Sequence, residues 1–280
     1  MRYQIVDVFA ETALAGNPLA VVLDGAGLSD QQMQAIALET NLSETTFVVE
    51  RSAERATVRI FTPTTELPFA GHPTLGTAWV LRDGAQRFTL DLGVGPVAVE
   101  FDADGVCWMA PPQPTVTGTL DVEQAAALIG LNPADLHTDY PISLINIGPQ
   151  FVLIGVRDWA TLERASMDGA LRARLLDAGV PAWSAFVFCA GATAGAPAGV
   201  DYAARMFFDA QGVREDPATG SANSAFAVYL RDLAGQSPGS YVVAQGDSMG
   251  RPSRIHLDIG DANYRVGGKV QDVARGEFTL

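Results

Sequence analysis

One stretch of this chain occurs twice. Residues 66–83 read ELPFAGHPTLGTAWVLRD and residues 215–232 read EDPATGSANSAFAVYLRD. Laid together without a gap, Glu66/Glu215, Pro68/Pro217, Gly71/Gly220, Ala78/Ala227, Leu81/Leu230, Arg82/Arg231 and Asp83/Asp232 coincide. Composition alone would give roughly one or two such identities in a window of that length. RIF at 59–61 and RMF at 205–207 extend the likeness upstream, with a loop of different length between. A turn running into an apolar helix, repeated half a chain apart, predicts two related halves facing each other. That arrangement favours a site in the cleft between them.

The rest of the sequence fits two such halves. RYQIVDVF, LAVVL, TTFVVE and TVRIFTP read as strands, with LSDQQMQAIALET as a helix between the second and third. Ser29 with Gln32 makes a capping box, and Met33, Ile36 and Ala37, with Thr40 at the edge, form the inner stripe. RFTLDLG, PVAVEFD and VCWMA follow as strands. APPQPTVTG (110–118) reads as the linker, because its three prolines cannot continue a helix or a central strand. Beyond it, LDVEQAAALIGL, DWATLERAS and LRARLLDAG read as helices. ISLINIG and FVLIGV are strands around a Gly-Pro-Gln turn. WSAFVFC, YAARMFF, SYVVAQG, SRIHLDIG and YRVGGKVQDVARG are the remaining strands. The expected domains are 1–117, completed by a C-terminal strand at 268–280, and 118–267.

Bulk properties narrow the function. A net charge of −14 argues against nucleic acid or an anionic membrane as partner, since both need basic patches. A small anionic substrate is still allowed, because backbone dipoles hold anions locally. Cys107 and Cys189 are the two cysteines, and both sit in apolar runs that read as buried core. No C-x-x-C or H-E-x-x-H spacing occurs, and His72, His137 and His256 are scattered, so no metal is expected. The N-terminal segment carries Asp7 and Glu11 and lacks a signal-peptide core. The uncharged run from Ala178 to Val200 is broken by Pro181, Pro197 and glycines, and reads as a strand and loop rather than a membrane span. A soluble, cytoplasmic protein is the expectation.

The repeated segments carry chemistry at their helix starts. Pro73 suits a first helical position, which makes His72 the expected N-cap and Ser221 its counterpart. Gly71 and Gly220 precede them and let a ligand approach the backbone. Leu75, Ala78 and Trp79, and then Ala222, Ala225, Phe226, Tyr229 and Leu230, make both helices apolar-faced and buried. A buried helix start with free N–H groups is an anion site. Two of them in one cleft would bind a carboxylate and stabilise a developing enolate. Taken locally, the same pattern also fits two ordinary capped helices.

YQIVDVF, GNPLAVV, NLSETTFV, ELPFAGHPTLG, EDPATGSAN and QGDSMGRPSRI together closely resemble the phenazine-biosynthesis PhzF-like isomerase family. The resemblance implies a diaminopimelate-epimerase-like α+β fold: two similar pseudo-symmetric halves, each a curved, mostly antiparallel sheet around a central helix. It also implies proton transfer without cofactor or metal, and a homodimer. The family's acid/base glutamate falls on Glu44, and its other motif positions on His72, Asp216 and Ser221. Epimerases and racemases of this fold place a cysteine at each helix start. The matching positions here are Ala70 and Thr219, so a two-thiol mechanism is disfavoured.

Read alone, Glu44 is a solvated glutamate in a helix-to-strand loop, and Asp216 a turn residue ahead of proline. His72 fits capping, orienting a ligand or relaying a proton equally well. Ser221 fits hydrogen bonding better than attack, since no G-x-S-x-G elbow surrounds it. Asn17 in GNP reads as a turn. Arg251, in the glycine-rich QGDSMGRPS run, is either a wall of the site or a solvated arginine in a hairpin. With the resemblance, the expected function is an isomerase moving a proton within a small cyclic or unsaturated carboxylic acid. Glu44, His72, Asp216 and Ser221 would be catalytic, and Gly71, Gly220, Thr219 and Arg251 would bind substrate. A catalytically silent binding or interaction protein is the alternative, and an epimerase a more distant one.

Overall fold

Alternating apolar residues give strands that bury one face, and here they fill most of the chain. The computed structural model describes residues 1–181, 184–210 and 213–279. Contacts divide the chain into two compact units, 1–110 with 267–280, and 111–266.

The first unit opens with β1 (Arg2–Val8), β2 (Asn17–Val22), helix α1 (Asp30–Thr40), β3 (Glu44–Arg51) and β4 (Arg55–Phe61). A two-residue β5 (Glu66–Leu67) leads into α2 (Gly71–Leu81), followed by β6 (Arg87–Leu92), β7 (Gly95–Phe101) and β8 (Cys107–Met109). Its strands pair as β1/β2 antiparallel, β2/β3 parallel and β3/β4 antiparallel. Then β4 pairs antiparallel with β5 and parallel with β6, and β6 pairs antiparallel with β7.

The second unit begins at β9 (Thr115–Gly118), α3 (Val122–Leu128), β10 (Ser143–Asn146) and β11 (Gln150–Gly155). α4 (Trp159–Arg164), α5 (Gly169–Asp177), β12 (Ser184–Ala190), β13 (Tyr202–Ala210) and β14 (Val213–Asp216) follow. α6 (Gly220–Asp232), β15 (Gly239–Gln245), β16 (Ser253–Ile259) and β17 (Tyr264–Gly268) come next, and β18 (Val270–Glu277) returns to the first unit. The pairing order is the same again: β10/β11 antiparallel, β11/β12 parallel, β12/β13 antiparallel. β13 then pairs antiparallel with β14 and parallel with β15, and β15 antiparallel with β16. Even the flanking strand recurs, β18 on β1 and β9 on β10. The α+β expectation of two similar halves holds strand by strand.

Each unit keeps one helix in its interior. α2 is buried from Gly71 to Ala78 and again at Leu81, and α6 from Ala222 to Leu230. A helix apolar all round belongs in a core, not on a surface. Phe186 and Phe188 close over α6, at 5.2 and 4.6 Å from the Phe226 ring. α1 lies on the other face of the first unit's sheet, where Met33, Ile36 and Ala37 meet Val22, Phe47 and Phe61. Its Ser29–Gln32 capping box is formed as expected. In the second unit, α3, α4 and α5 contribute Ala125, Leu128, Leu162 and Leu175 to an equivalent apolar layer.

The repeated Arg and Glu explain themselves in this frame. Arg59 on β4 grips Glu66 on β5 with two hydrogen bonds of 2.7 and 2.6 Å, and its Nη1 reaches Asp30 at the start of α1. Arg205 on β13 grips Glu215 on β14 at 2.8 and 2.7 Å. Its Nη1 donates to the carbonyls of Leu162, Glu163 and Ala165 at the end of α4. The guanidinium rests over the phenylalanine two residues on in both units, Phe61 and Phe207. Bidentate forks fix the two-stranded ribbon from which each interior helix departs.

Three expectations change. The second part of the proline-rich stretch is not linker but β9, since its prolines end at Pro114 and leave Thr115–Gly118 able to pair with β10. YRVGGKVQDVARG is two strands, β17 and β18, interrupted at Lys269. Asn17 is not in a turn: it is fully buried at the first position of β2, opposite Val8. The expected strand WSAFVFC forms from Ser184 on, and its Trp183 lies outside the described residues. Both cysteines are buried as expected. Among the described residues, no helix is long and apolar enough to cross a membrane.

Candidate active site

The helix starts lie one step earlier than the sequence pattern suggests. α2 begins at Gly71 with Ala70, not His72, as N-cap, and α6 begins at Gly220 with Thr219, not Ser221, as N-cap. Pro73 therefore occupies the third helical position. No N–H of the first turn has an acceptor within the helix, so a proline costs nothing there either. Burial of α2 outweighs the usual bias of the residue before proline against helical geometry.

Neither N-cap side chain bonds its helix. The first helical bonds run from Thr74 N to Ala70 O and from Asn223 N to Thr219 O. The N–H groups of Gly71 and His72 therefore stand outside the α2 ladder, and those of Gly220, Ser221 and Ala222 outside the α6 ladder. Each helix start presents about half a positive charge. These are the amide openings that the sequence places at both repeats.

In the first unit, two titratable groups meet at this opening. Glu44 is the first residue of β3 and His72 the second of α2, and Glu44 Oε2 lies 3.5 Å from His72 Nε2. Their side chains are only 16% and 6% exposed. Burial pushes the His72 pKa down to about 3, against a hydrogen bond to the Pro18 carbonyl that works to raise it. The ring is therefore neutral at physiological pH, and its approach to Glu44 is not an ion pair despite the short distance. With the other nitrogen assigned as the donor to Pro18, Nε2 faces Glu44 as an acceptor. It has no hydrogen-bond partner among the described residues. A proton carried on Glu44 would thus find an acceptor directly opposite.

The fold positions this pair through contacts distant in sequence. β2 and β3 run parallel with Leu19 opposite Glu44, which sets Pro18 beside the carboxylate-bearing end of β3. α2 can lie close to β1 and β2 because residue 76 is glycine. A Cβ there would come within 2.6 Å of Leu19 Cδ2 and 2.7 Å of Val8 Cγ2. Gly76 stands one turn after His72 on the same helix face, so this close approach delivers the imidazole to Pro18. A buried 2.8 Å hydrogen bond between the Thr46 and Thr77 hydroxyls ties β3 to α2 as well.

In the second unit, Asp216 ends β14 and accepts from Thr219 Oγ1 at 2.5 Å. Gln245, at the end of β15, bonds around the same turn. Ser221 is half-buried in the first turn of α6. Gly246 packs so tightly on Pro217 that a Cβ would meet its carbonyl oxygen at 2.5 Å, and Ser253 Oγ donates to the same oxygen. The QGDSMGRPS run is therefore not a plain hairpin: a short 3-10 turn at Asp247–Met249 folds it back on the EDPATG segment. Arg251 is half-buried within it. The concavities lined by Arg59 and Glu66 (about 500 Å³) and by Arg205 and Glu215 (about 320 Å³) contain none of Glu44, His72, Asp216 and Ser221. No three His, Cys, Asp or Glu side chains gather as a metal set among the described residues.

Sequence inspection missed Pro18, Gly76 and Gln245. No local signal links Pro18 to His72 or Gln245 to Thr219, because strand register makes those contacts.

A family model described as phenazine biosynthesis-like protein matches residues 6–276. The chain belongs to that family. It is 36% identical to the trans-2,3-dihydro-3-hydroxyanthranilate isomerase of Pseudomonas aeruginosa, over 95% of this chain and 92% of the relative. Against the isomerase of the same name from Pseudomonas chlororaphis it is 38% identical, over 99% and 95%. A PhzF-family protein from Bacillus anthracis superposes with a TM-score of 0.88 at 24% identity, over 100% of this chain and 99% of that one, which establishes the shared fold. The protein is thus an enzyme of an isomerase family.

Proposed function

We propose that this enzyme moves a proton between two carbons of a small cyclic or unsaturated carboxylic acid, with Glu44 as the single acid/base and no cofactor. The carrying observation is the buried contact between Glu44 and neutral His72 at the uncapped start of α2. The ionised Glu44 carboxylate takes a proton from one carbon of the bound acid. The C–H electron pair passes into the adjoining unsaturation, giving a conjugated anion. The same carboxyl returns its proton to another carbon on that face, shifting the double bond and restoring Glu44. The amide groups of Gly71 and His72 stabilise the anion without reorganising. In the second unit, the amide opening of α6, with Gly220, Thr219, Ser221, Asp216 and Arg251, is the matching candidate for binding an anionic group.

The named relatives make trans-2,3-dihydro-3-hydroxyanthranilate the first compound to test. In deuterium oxide, wild type should place deuterium on a ring carbon, and Glu44→Gln should abolish incorporation while remaining folded. Equal incorporation by both proteins refutes the role of Glu44. Ligand-induced thermal stabilisation with no incorporation by wild type would instead identify a binding protein.

A further inference from the structure

We infer that Gln245 is a positioning residue that turns the Thr219 hydroxyl hydrogen onto the Asp216 carboxylate. Gln245 is 1% exposed, and its amide is fully engaged. Nε2 donates to the Asp216 carbonyl at 2.8 Å and to Thr219 Oγ1 at 3.0 Å. Oε1 accepts from Thr219 N at 3.3 Å and Asn223 Nδ2 at 3.0 Å. Those partners settle the orientation of the amide, since a flipped group would oppose donor to donor and acceptor to acceptor. Because Gln245 donates to Thr219 Oγ1, the hydroxyl must spend its single hydrogen elsewhere, and Asp216 Oδ2 is 2.5 Å away. The chain runs one way, from amide to hydroxyl to carboxylate.

The first unit serves as an internal control. Its equivalent turn, built on the same strand pairing, has Leu67 where the second unit has Asp216, and Ala70 where it has Thr219. Gly93 packs on Pro68 as Gly246 packs on Pro217, so Leu92 takes the place of Gln245. The fold therefore builds this turn with apolar residues at all three of these positions. Burying a polar trio there serves no general folding need. Its specific product is a carboxylate that receives the Thr219 hydrogen in one fixed orientation. Nearby charged groups on the flanking elements are paired among themselves, Arg205 with Glu215 and Arg254 with Asp247; Arg251 is the further charge on that loop.

The kinetic part of the test rests on the proposed function; the titration part does not. Carbon-13 spectra of wild type, Gln245→Glu, Gln245→Leu and Thr219→Val would follow the Asp216 carboxyl with pH, assigned by its loss in Asp216→Asn. Gln245→Glu keeps the size of the side chain but accepts the Thr219 hydrogen, so it should raise the Asp216 midpoint as Thr219→Val does. Gln245→Leu copies the first unit and should fold, with a smaller rise, because leucine removes the donor without offering the Thr219 hydrogen a rival acceptor. With trans-2,3-dihydro-3-hydroxyanthranilate, each variant should lose about tenfold or more in kcat, and Thr219→Val combined with Gln245→Leu should be no worse than either alone. An unmoved Asp216 titration in both Gln245→Glu and Thr219→Val overturns the inference, whatever happens to activity. A wild type inert toward the probe counts against the proposed function, while the titration still decides the role of Gln245.

Discussion

His72 Nε2 faces Glu44 Oε2 across 3.5 Å with the imidazole held neutral by burial. This relationship links stability to acidity. The folded pKa of about 3 lies below the ordinary value of 6.5. Between those values the unfolded chain holds a proton on this residue that the native chain does not, so stability rises with pH there and is lost as pH falls from about 6.5. Urea unfolding of wild type and His72→Asn between pH 8 and 4 should show the difference. Wild type should lose stability relative to the variant by up to about 1.4 kcal/mol per pH unit below 6.5. Parallel curves would mean that His72 is accessible to protons in the native state.

Shortening the proposed acid/base should hurt catalysis more than binding. Glu44→Asp withdraws the carboxylate by about one bond length, and a misplacement near 1 Å costs on the order of 100-fold. Steady-state kinetics should show that loss in kcat with little change in KM. A loss carried wholly by KM would make Glu44 a binding residue.

Gly76→Ala tests the close approach of α2. Helix propensity alone favours the alanine by about 1 kcal/mol. The new methyl would press on Leu19 and Val8, both fully buried, and overpacking of this kind costs about 1–3 kcal/mol. Net destabilisation in urea together with reduced kcat is expected, because the helix that carries His72 must move. A stabilised, fully active variant would show that the contact is slack.

The duplicated Arg–Glu forks should differ in energetic weight. Arg205 and Glu215 are 13% and 15% exposed, while Arg59 and Glu66 are 28% and 43% exposed. Arg205→Met strands a buried carboxylate and releases three carbonyls at the end of α4, a loss of about 3–5 kcal/mol. Arg59→Met should cost about 1 kcal/mol or less. Chemical denaturation of the two variants measures the contrast, and equal costs would refute the burial argument.

Cys107 and Cys189 should report global unfolding. Burial pushes their thiols up to about 12 and about 11. Neither is nucleophilic in the native state, because the thiolate is the reactive form. Labelling with iodoacetamide at pH 8 should proceed only at the rate of unfolding and should accelerate with urea in step with the loss of structure. Fast labelling in buffer would mean that a thiol opens locally.

Much of this protein follows from short-range pattern. The Ser29 cap with its Met33–Ile36–Ala37 stripe, the apolar helices after Pro68 and Pro217, and the repeat itself are all properties of a few neighbouring residues. Periodicity and capping are local physics, and they hold in the structure. The position of a cap proved less legible: His72 and Ser221 have the right chemistry, but Ala70 and Thr219 take the role, because burial of the whole helix sets where it begins.

The electrostatics of the site arise only on folding. The sequence by itself determined two apolar helix starts half a chain apart, while Glu44 is singled out only by the family resemblance. Tertiary structure decided that Pro18 receives the His72 ring, that Gly76 admits the helix, and that Gln245 governs Thr219. Parallel strand register brings those groups together, and register is set by the burial of entire faces, which no short segment contains.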